Sequence, residues 1–416
     1  MPGARIPPSL CARCKGYKRL CGLPQCPILS RFRAQVHTVS RLHGGREVEG
    51  DTPPSLVVGE EGYPKVSVIF QVPPEERGEA ARLHDDPISW FSRRVKLDTI
   101  LELRSRLVGG VERVDVRSPW VLYDREVGLA AVSLKPVDSE VRLAKTPVPR
   151  LVFDGLTAPR GPSAPAREIR VVGSPSLHPK LEKLIFDDAL AEDAVWEAYR
   201  AGVDYYTIIR AFSAGFLGRL RNRRLVPTRW AITAVDSIIS RRLRSRVLGD
   251  GREPDKVEVY KGYYLGNRFL VILSPGPARI EMIELWHPLT PWVPRGSSTV
   301  AIRVWERPDG NPSVMDGGFM AARLAVLEAL AERRVRGYVI VVREVLPEYY
   351  APVGNWHIRE TVRETLHSKP IGVYDTLEEA LQEVLRHVKA REALAEKLGS
   401  VRRAASQRRL DEWLKR

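Results

Sequence analysis

Apolar and polar positions along this chain separate β-rich stretches from helical ones. From Ser55 to Val72 two β-rich runs are broken by a Gly-Tyr-Pro turn. Asp86-Pro87 is a favourable helix start, and after it Ile88, Phe91, Val95, Ile100, Leu103 and Leu107 recur near helical spacing, predicting a helix. Short apolar runs at Trp120 to Tyr123, Val127 to Leu134 and Leu151 to Phe153 read as strands. The Pro- and Gly-rich stretch from Ala158 to Arg167 reads as a loop and a candidate domain seam. Helical patterns fill Pro179 to Ala201 and Ala231 to Leu248.

Between Val257 and Glu306 the chain turns to strands: VEVYKGYYL, RFLVIL, RIEMIEL and TVAIRVWE. Gly266-Asn267 and Ser274-Pro275-Gly276-Pro277 supply turns, so at least three of these strands are expected in an antiparallel meander. RFLVIL is apolar on both faces, and such a strand needs helices on both sides of its sheet. Phe319 to Arg334 predicts an amphipathic helix, Gly337 to Val345 a buried strand, and Trp356 to Leu366 a further helix. A last helix opens on a capping box of Thr376 and Glu379 and carries a stripe of Leu377, Leu381, Val384, Leu385 and Val388. Gly399 is placed to stop it near Leu398, and the polar residues beyond predict a flexible lead to the terminus.

The fold class that follows is α+β: a mixed, largely antiparallel sheet covered by helices, over residues 55–398. A cysteine knot (1–30) and a linker (31–54) precede this core, and a flexible tail (399–416) follows it.

Composition changes the picture in two ways. At 416 residues, with 28% charged and 44% hydrophobic residues, the chain can bury a large core and is unlike disordered or fibrous sequences. It has no long uncharged apolar run and no secretory-type start, which predicts a soluble, cytoplasmic protein without a membrane partner. The net charge of +15 is uneven, however. Residues 217–246 hold nine arginines, Arg219, Arg221, Arg223, Arg224, Arg229, Arg241, Arg242, Arg244 and Arg246, against one acid, Asp236. Residues 386–416 add ten Lys and Arg against four acids. Such clustering points to DNA or another polyanion, and hence to a nucleoid-associated location; a solvated surface adapted to heat is the alternative.

All four cysteines, Cys11, Cys14, Cys21 and Cys26, fall in the pattern C-x2-C-x6-C-x4-C, with Gly16, Gly22 and Pro24 placed to turn the chain. Two close pairs on tight turns suit a tetrahedral, structural zinc site, closed because four thiolates leave no open position. A redox pair would leave two thiols unexplained.

At the other end Gln407, Leu410, Trp413 and Leu414 form Q-x-x-L-x-x-W-L. This resembles the peptide by which many replication and repair proteins bind the sliding clamp PCNA. Spacing of three puts Leu410 and Trp413 on one side of a 3₁₀ turn, and Leu414 replaces the usual second aromatic residue. A short amphipathic helix folded back on the body would use the same residues.

Other polar and aromatic clusters suggest further chemistry. Arg229 and Trp230 pair a phosphate ligand with a stacking ring, as single-strand binders do, or else a buried Arg under a packed Trp. Glu281, Glu284, His287 and His357 are the catalytic candidates for a metal-dependent nuclease or phosphodiesterase, which would need convergent carboxylates; buried ion pairs are the alternative. Whether the core is an enzyme is left open, and an RNA-binding zinc protein is a further reading.

Several segments carry a more specific resemblance: VPTRWAITAVD (Val226 to Asp236), WHPLTPW (Trp286 to Trp292), REVLPEYYAPVGNWHIRETVRE (Arg343 to Glu364), PPSLVVGEEGYPKV (Pro53 to Val66), GPSAP (Gly161 to Pro165) and MAARLAVLEAL (Met320 to Leu330). With the cysteine knot and the tail, they make the chain similar to the archaeal Nre family of DNA repair proteins. The resemblance implies a role in DNA damage repair through contact with PCNA and supplies no reaction.

Overall fold

In the computed structural model, which describes residues 10, 13–22, 26–42, 44–149 and 160–406, the chain divides into two compact units. The first comprises Pro27–Phe153 and Thr157–Ile239, the second Met1–Cys26, Asp154–Leu156 and Ser240–Arg416. Each is built on a six-stranded sheet, so the α+β class is realised twice.

The first unit runs α1 (Pro27–Val39), β1 (Glu47–Thr52), β2 (Leu56–Val58), β3 (Lys65–Val72), α2 (Gly78–Arg82), α3 (Pro87–Ser92), α4 (Leu97–Arg106), β4 (Val108–Asp115), α5 (Trp120–Asp124), α6 (Val127–Ala131), β5 (Val137–Leu143), β6 (Ser163–Val171), α7 (Pro179–Phe186), α8 (Ala191–Arg200) and α9 (Tyr205–Ser213), then the first half of α10 (Thr228–Asp250). Its strand order is β1-β5-β6-β4-β3-β2, with β4 and β6 parallel and the other pairs antiparallel.

Several expectations change here. Residues 31–54 hold a helix and a strand instead of a linker, and Arg31, Gln35, Thr38, Leu42 and Val48 are buried. Polar residues form much of that buried face, which is why its period was faint. The helix read from Ile88 to Leu107 is two, α3 and α4, divided where Arg94 takes a left-handed φ of 52°. The runs at Trp120 and Val127 are short helices, because apolar runs of that length do not distinguish strand from buried helix. Leu151 to Phe153 lie outside the described residues. The stretch 158–167, read as a loop, is strand from Ser163 onward, where β6 begins and pairs with β4. A side chain at Gly161 would stand 1.6 Å from the Leu107 carbonyl oxygen, so only glycine lets the two backbones meet there.

The second unit runs from the rest of α10 through β7 (Val257–Tyr264), β8 (Asn267–Ser274), β9 (Arg279–Trp286), β10 (Val300–Trp305), α11 (Gly317–Arg333), β11 (Tyr338–Val345), α12 (Trp356–His367), β12 (Gly372–Tyr374), α13 (Leu377–His387) and α14 (Arg391–Ser406). Its order is β10-β9-β11-β8-β7-β12. The expected meander is therefore interrupted: β11 lies between β8 and β9, antiparallel to one and parallel to the other. Pro275 and Pro277, which lack an N–H, sit in the β8–β9 connection where a tight hairpin would need donors.

Every residue of β11 is buried, and each Val or Ile in it contributes about 1.5–3 kcal/mol through burial. One face of the sheet packs Ile272, Ile283, Ile340 and Val342 under Leu381 and Val384 of α13 and Leu398 and Val401 of α14. α11 and α12 contact sheet strands and each other, and α11 is buried around most of its circumference, not amphipathic.

The last helix does not run unbroken to Leu398. Val388 is extended between α13 and α14, because Arg268 donates to the His387 carbonyl (2.6 Å) while Glu344 accepts the Lys389 and Ala390 amides (2.7 and 2.9 Å). Two side chains from the sheet thus cap one helix end and the next helix start. Gly399 lies inside α14, which continues to Ser406, so the segment after Leu398 begins as helix. Among the described residues no helix is long and apolar enough to cross a membrane.

Candidate nucleic-acid interface

Strand alternation decides where the four carboxylate and imidazole candidates go. Glu281 and Glu284 are three apart on β9 and so point to opposite faces. Glu281 is fully buried between Arg303 (2.6 Å) and Arg279 (3.0 Å). Glu284 accepts a hydrogen bond from Arg343, which stands beside it on β11 (2.6 Å), and another from the Trp286 indole N–H (3.3 Å). Burial raises the Glu284 pKa, opposed by Arg343.

The same Arg343 donates to Asn267 (2.9 Å) and reaches His357 Nε2 (3.3 Å), while His357 Nδ1 lies 2.8 Å from the Gly354 carbonyl. Those partners select the tautomer with its proton on Nδ1. Burial, and then Arg343, hold the His357 pKa well below the usual imidazole value, so the ring is neutral. His287 belongs to a separate cluster, with Nε2 2.8 Å from Glu344 Oε1. Burial raises the Glu344 pKa, but the bonds from His287, Ala390 and Lys389 prevail and the net shift is downward.

Glu284 and His357 are therefore brought together through Arg343, whereas Glu281 and His287 are engaged elsewhere. Carboxylates that each hold their own cation, in a buried setting, tie strands and helices together. The four do not form one catalytic pocket. Arg343 and Glu344, the neighbouring residues that organise the two clusters, were not singled out from the sequence; an Arg-Glu pair ending an apolar strand is the signal that marks them.

The arginine-rich segment is sorted by burial. Arg219, Arg221, Arg224 and Arg229 are exposed in the first unit. Arg223 is not a surface cation: it is 3% exposed and donates to the carbonyls of Gly218 (2.8 Å), Asp187 (2.8 Å), Leu184 (3.3 Å) and Ile185, with its guanidinium over the Trp120 ring. It satisfies carbonyls at the end of α7, where the helical hydrogen-bond ladder runs out, and at Leu184 it adds to the Asp187 amide (3.4 Å). In the second unit Arg241 is exposed and Arg242 half-buried. Arg244, also half-buried, approaches Glu306 (3.5 Å), which Arg323 binds at 2.7 Å. Arg223 is thus unavailable for the phosphate contact expected of it from the sequence, and Arg244 is partly committed to the fold.

Trp230 lies in the first turn of α10 and is 50% exposed, its ring stacked on Tyr63 with centroids 6.2 Å apart and planes at 21°. Arg229 beside it is 83% exposed and 3.5 Å from Glu60. This is the exposed arrangement of the two alternatives, and Tyr63 joins it from a loop read only as a turn.

Of the cysteines, Cys14 is buried and its sulfur accepts the Leu20 amide at 3.4 Å, while Cys21 and Cys26 are half-buried. Cys11 lies outside the described residues, and among the described residues no three His, Cys, Asp or Glu side chains come together as a metal site. Gln407, Leu410, Trp413 and Leu414 also lie outside the described residues.

No solved structure matches the chain. The protein-family descriptions "Archaeal Nre, N-terminal" and "Archaeal Nre, C-terminal" match residues 20–293 and 305–413. DNA repair protein NreA of Archaeoglobus fulgidus is 34% identical over 389 residues, covering 92% of this chain and 94% of the relative. DNA repair protein NreB of the same organism is 35% identical, covering 91% and 93%. DNA repair protein NreA of Haloferax volcanii is 34% identical, covering 83% and 84%. Together these matches span nearly the whole chain, which therefore belongs to the archaeal Nre family.

Proposed function

We propose that this chain is a DNA repair protein that holds DNA and docks on the PCNA sliding clamp through Gln407, Leu410, Trp413 and Leu414. The observation that carries the reading is the likeness, over more than nine-tenths of the chain, to two relatives named as DNA repair proteins. Exposed Arg219, Arg221, Arg224, Arg229 and Arg241 support a phosphate-binding role, because each can release a counterion on contact with DNA. For the tail, α14 ends at Ser406, the residue before the Q-x-x-L-x-x-W-L pattern.

A structural zinc held by Cys11, Cys14, Cys21 and Cys26 is part of the proposal. Its support is the cysteine spacing together with the hydrogen bond that the Cys14 sulfur accepts from the Leu20 amide, an acceptor role that suits a thiolate.

The test is clamp binding by the full chain, measured by calorimetry with purified PCNA. Micromolar affinity is expected, lost on Trp413→Ala and reduced on Leu410→Ala, with the thermal melt unchanged. Full affinity in the Trp413→Ala variant, or a lowered melt, would refute the docking assignment.

A further inference from the structure

Tyr63 and Trp230 are distant in sequence, large, and half in solvent, yet they lie ring on ring. The contact is held by hydrogen bonds on both sides. The Gly59 amide binds the Ser67 carbonyl and the Val116 amide binds the Pro64 carbonyl, each at 2.8 Å, which fixes the Glu60–Tyr63 loop. The Thr228 hydroxyl accepts the Val58 amide at 2.9 Å and ties the start of α10 to β2. Two aromatic rings are thereby presented at fixed positions without being covered, which costs apolar exposure and adds nothing to the core.

The surrounding charge suits a polyanion. Arg229 is 83% exposed and its contact with Glu60 is a loose surface pair, of the kind solvent and salt readily disrupt. Arg113 is exposed, donates to Ser67 (3.0 Å) and lies against Gly62, the residue before Tyr63. Lys65 is exposed two residues further on. Glu60, Glu61 and Asp115, the last opposite Lys65 and bound by Arg117 (3.3 Å), oppose Arg229, Arg113, Lys65 and Arg117, so the cations exceed the acids by one.

We propose that Tyr63 and Trp230 form a stacking platform for an unpaired base of single-stranded DNA, with Arg229 and Arg113 holding the flanking phosphates. A duplex hides the faces of its bases, so an aromatic platform selects single strands, and it tolerates sequence because every base has a π-face. This proposal rests on the DNA-holding reading above and adds the form of DNA that is held.

The test uses the full chain with a mixed-sequence oligonucleotide carrying 2-aminopurine, as a single strand and as a duplex. Single-strand binding is expected to quench the probe. Trp230→Ala or Tyr63→Ala should weaken single-strand affinity roughly tenfold and abolish the quenching, with duplex affinity and the salt slope unchanged. Trp230→Phe should restore most of the loss, and both sites are exposed enough that melting should stay at the parent value. Unchanged single-strand affinity and quenching in the alanine variants would overturn the platform while leaving DNA binding intact, as would equal losses on single strand and duplex. Failure of the parent protein to bind either form would overturn the DNA-holding reading and the platform together.

Discussion

Arg223 separates two uses of an arginine that the sequence alone cannot tell apart. Replacing it with Ala leaves the carbonyls of Ile185 and Gly218, both on buried residues, without the Arg223 donor, while the Leu184 carbonyl keeps the Asp187 amide (3.4 Å) and the Asp187 carbonyl, on an exposed residue, can turn to water. A buried acceptor left unsatisfied costs about 1–3 kcal/mol, and partial hydration of the α7 end lowers the total, so the expected loss is about 3–5 kcal/mol. At about 2–4 °C per kcal/mol for a domain of this size, the melt of the first unit should fall by roughly 10 °C. Arg223→Lys should recover little, because an ammonium cannot fork to several carbonyls as the guanidinium does. Differential scanning calorimetry at neutral pH would measure both, with Arg221→Ala as the exposed control, expected to weaken DNA binding and leave the melt in place. If Arg223→Ala melts like the parent and instead loses DNA affinity, the capping role is refuted.

Two further outcomes are expected. Protein purified without chelator should carry one zinc per chain by elemental analysis, and changing Cys11 and Cys14 to Ser should remove it; a parent protein free of zinc would end the metal assignment. Stability should also fall in mild acid. His357 and His84 are both held by burial below the usual imidazole pKa, so as pH drops through about 6.5 the unfolded chain takes up protons that the folded one refuses. Stability is thus full above that pH and declines below it, by up to about 1.4 kcal/mol per pH unit for each imidazole. Glu284, raised by burial, acts with the opposite sign, so urea unfolding of His357→Gln beside the parent isolates the imidazole; identical pH profiles would contradict the assignment.

Much of the architecture was legible where one face or both faces of an element set its pattern. RFLVIL could be read as a strand covered on both sides because five apolar residues follow Arg268 without interruption, and the Thr376–Glu379 capping box marks the start of α13. The break at Val388 was not legible. It is made by Arg268 and Glu344 from distant strands, and no local Gly or Pro announces it. Likewise the density of arginine between Arg219 and Arg246 indicates charge but not that Arg223 turns inward. Pairing partners explain the carboxylates too: Glu281 and Glu284 looked like neighbours on one apolar run, yet strand geometry sends them to different cations. Trp230 could be named from the sequence, but its partner Tyr63 could not, since their contact depends on how α10 meets the loop before β3.

The insertion of β11 between β8 and β9 also bears on how the chain is made. A ribosome delivers β8 and β9 early, each wholly or largely buried in the finished sheet, while the strand that joins them lies about sixty residues further on. At about 5–20 residues per second, that delay lasts roughly 3–12 seconds, during which two apolar strand edges wait for their common neighbour. The family's N-terminal and C-terminal segments meet inside this sheet, with β8 and β9 before residue 293 and β11 after residue 305. That division therefore cannot mark two independently maturing halves. The nascent second unit stays open until Val345 has emerged, and protection of its unpaired edges falls to whatever escorts the chain during synthesis.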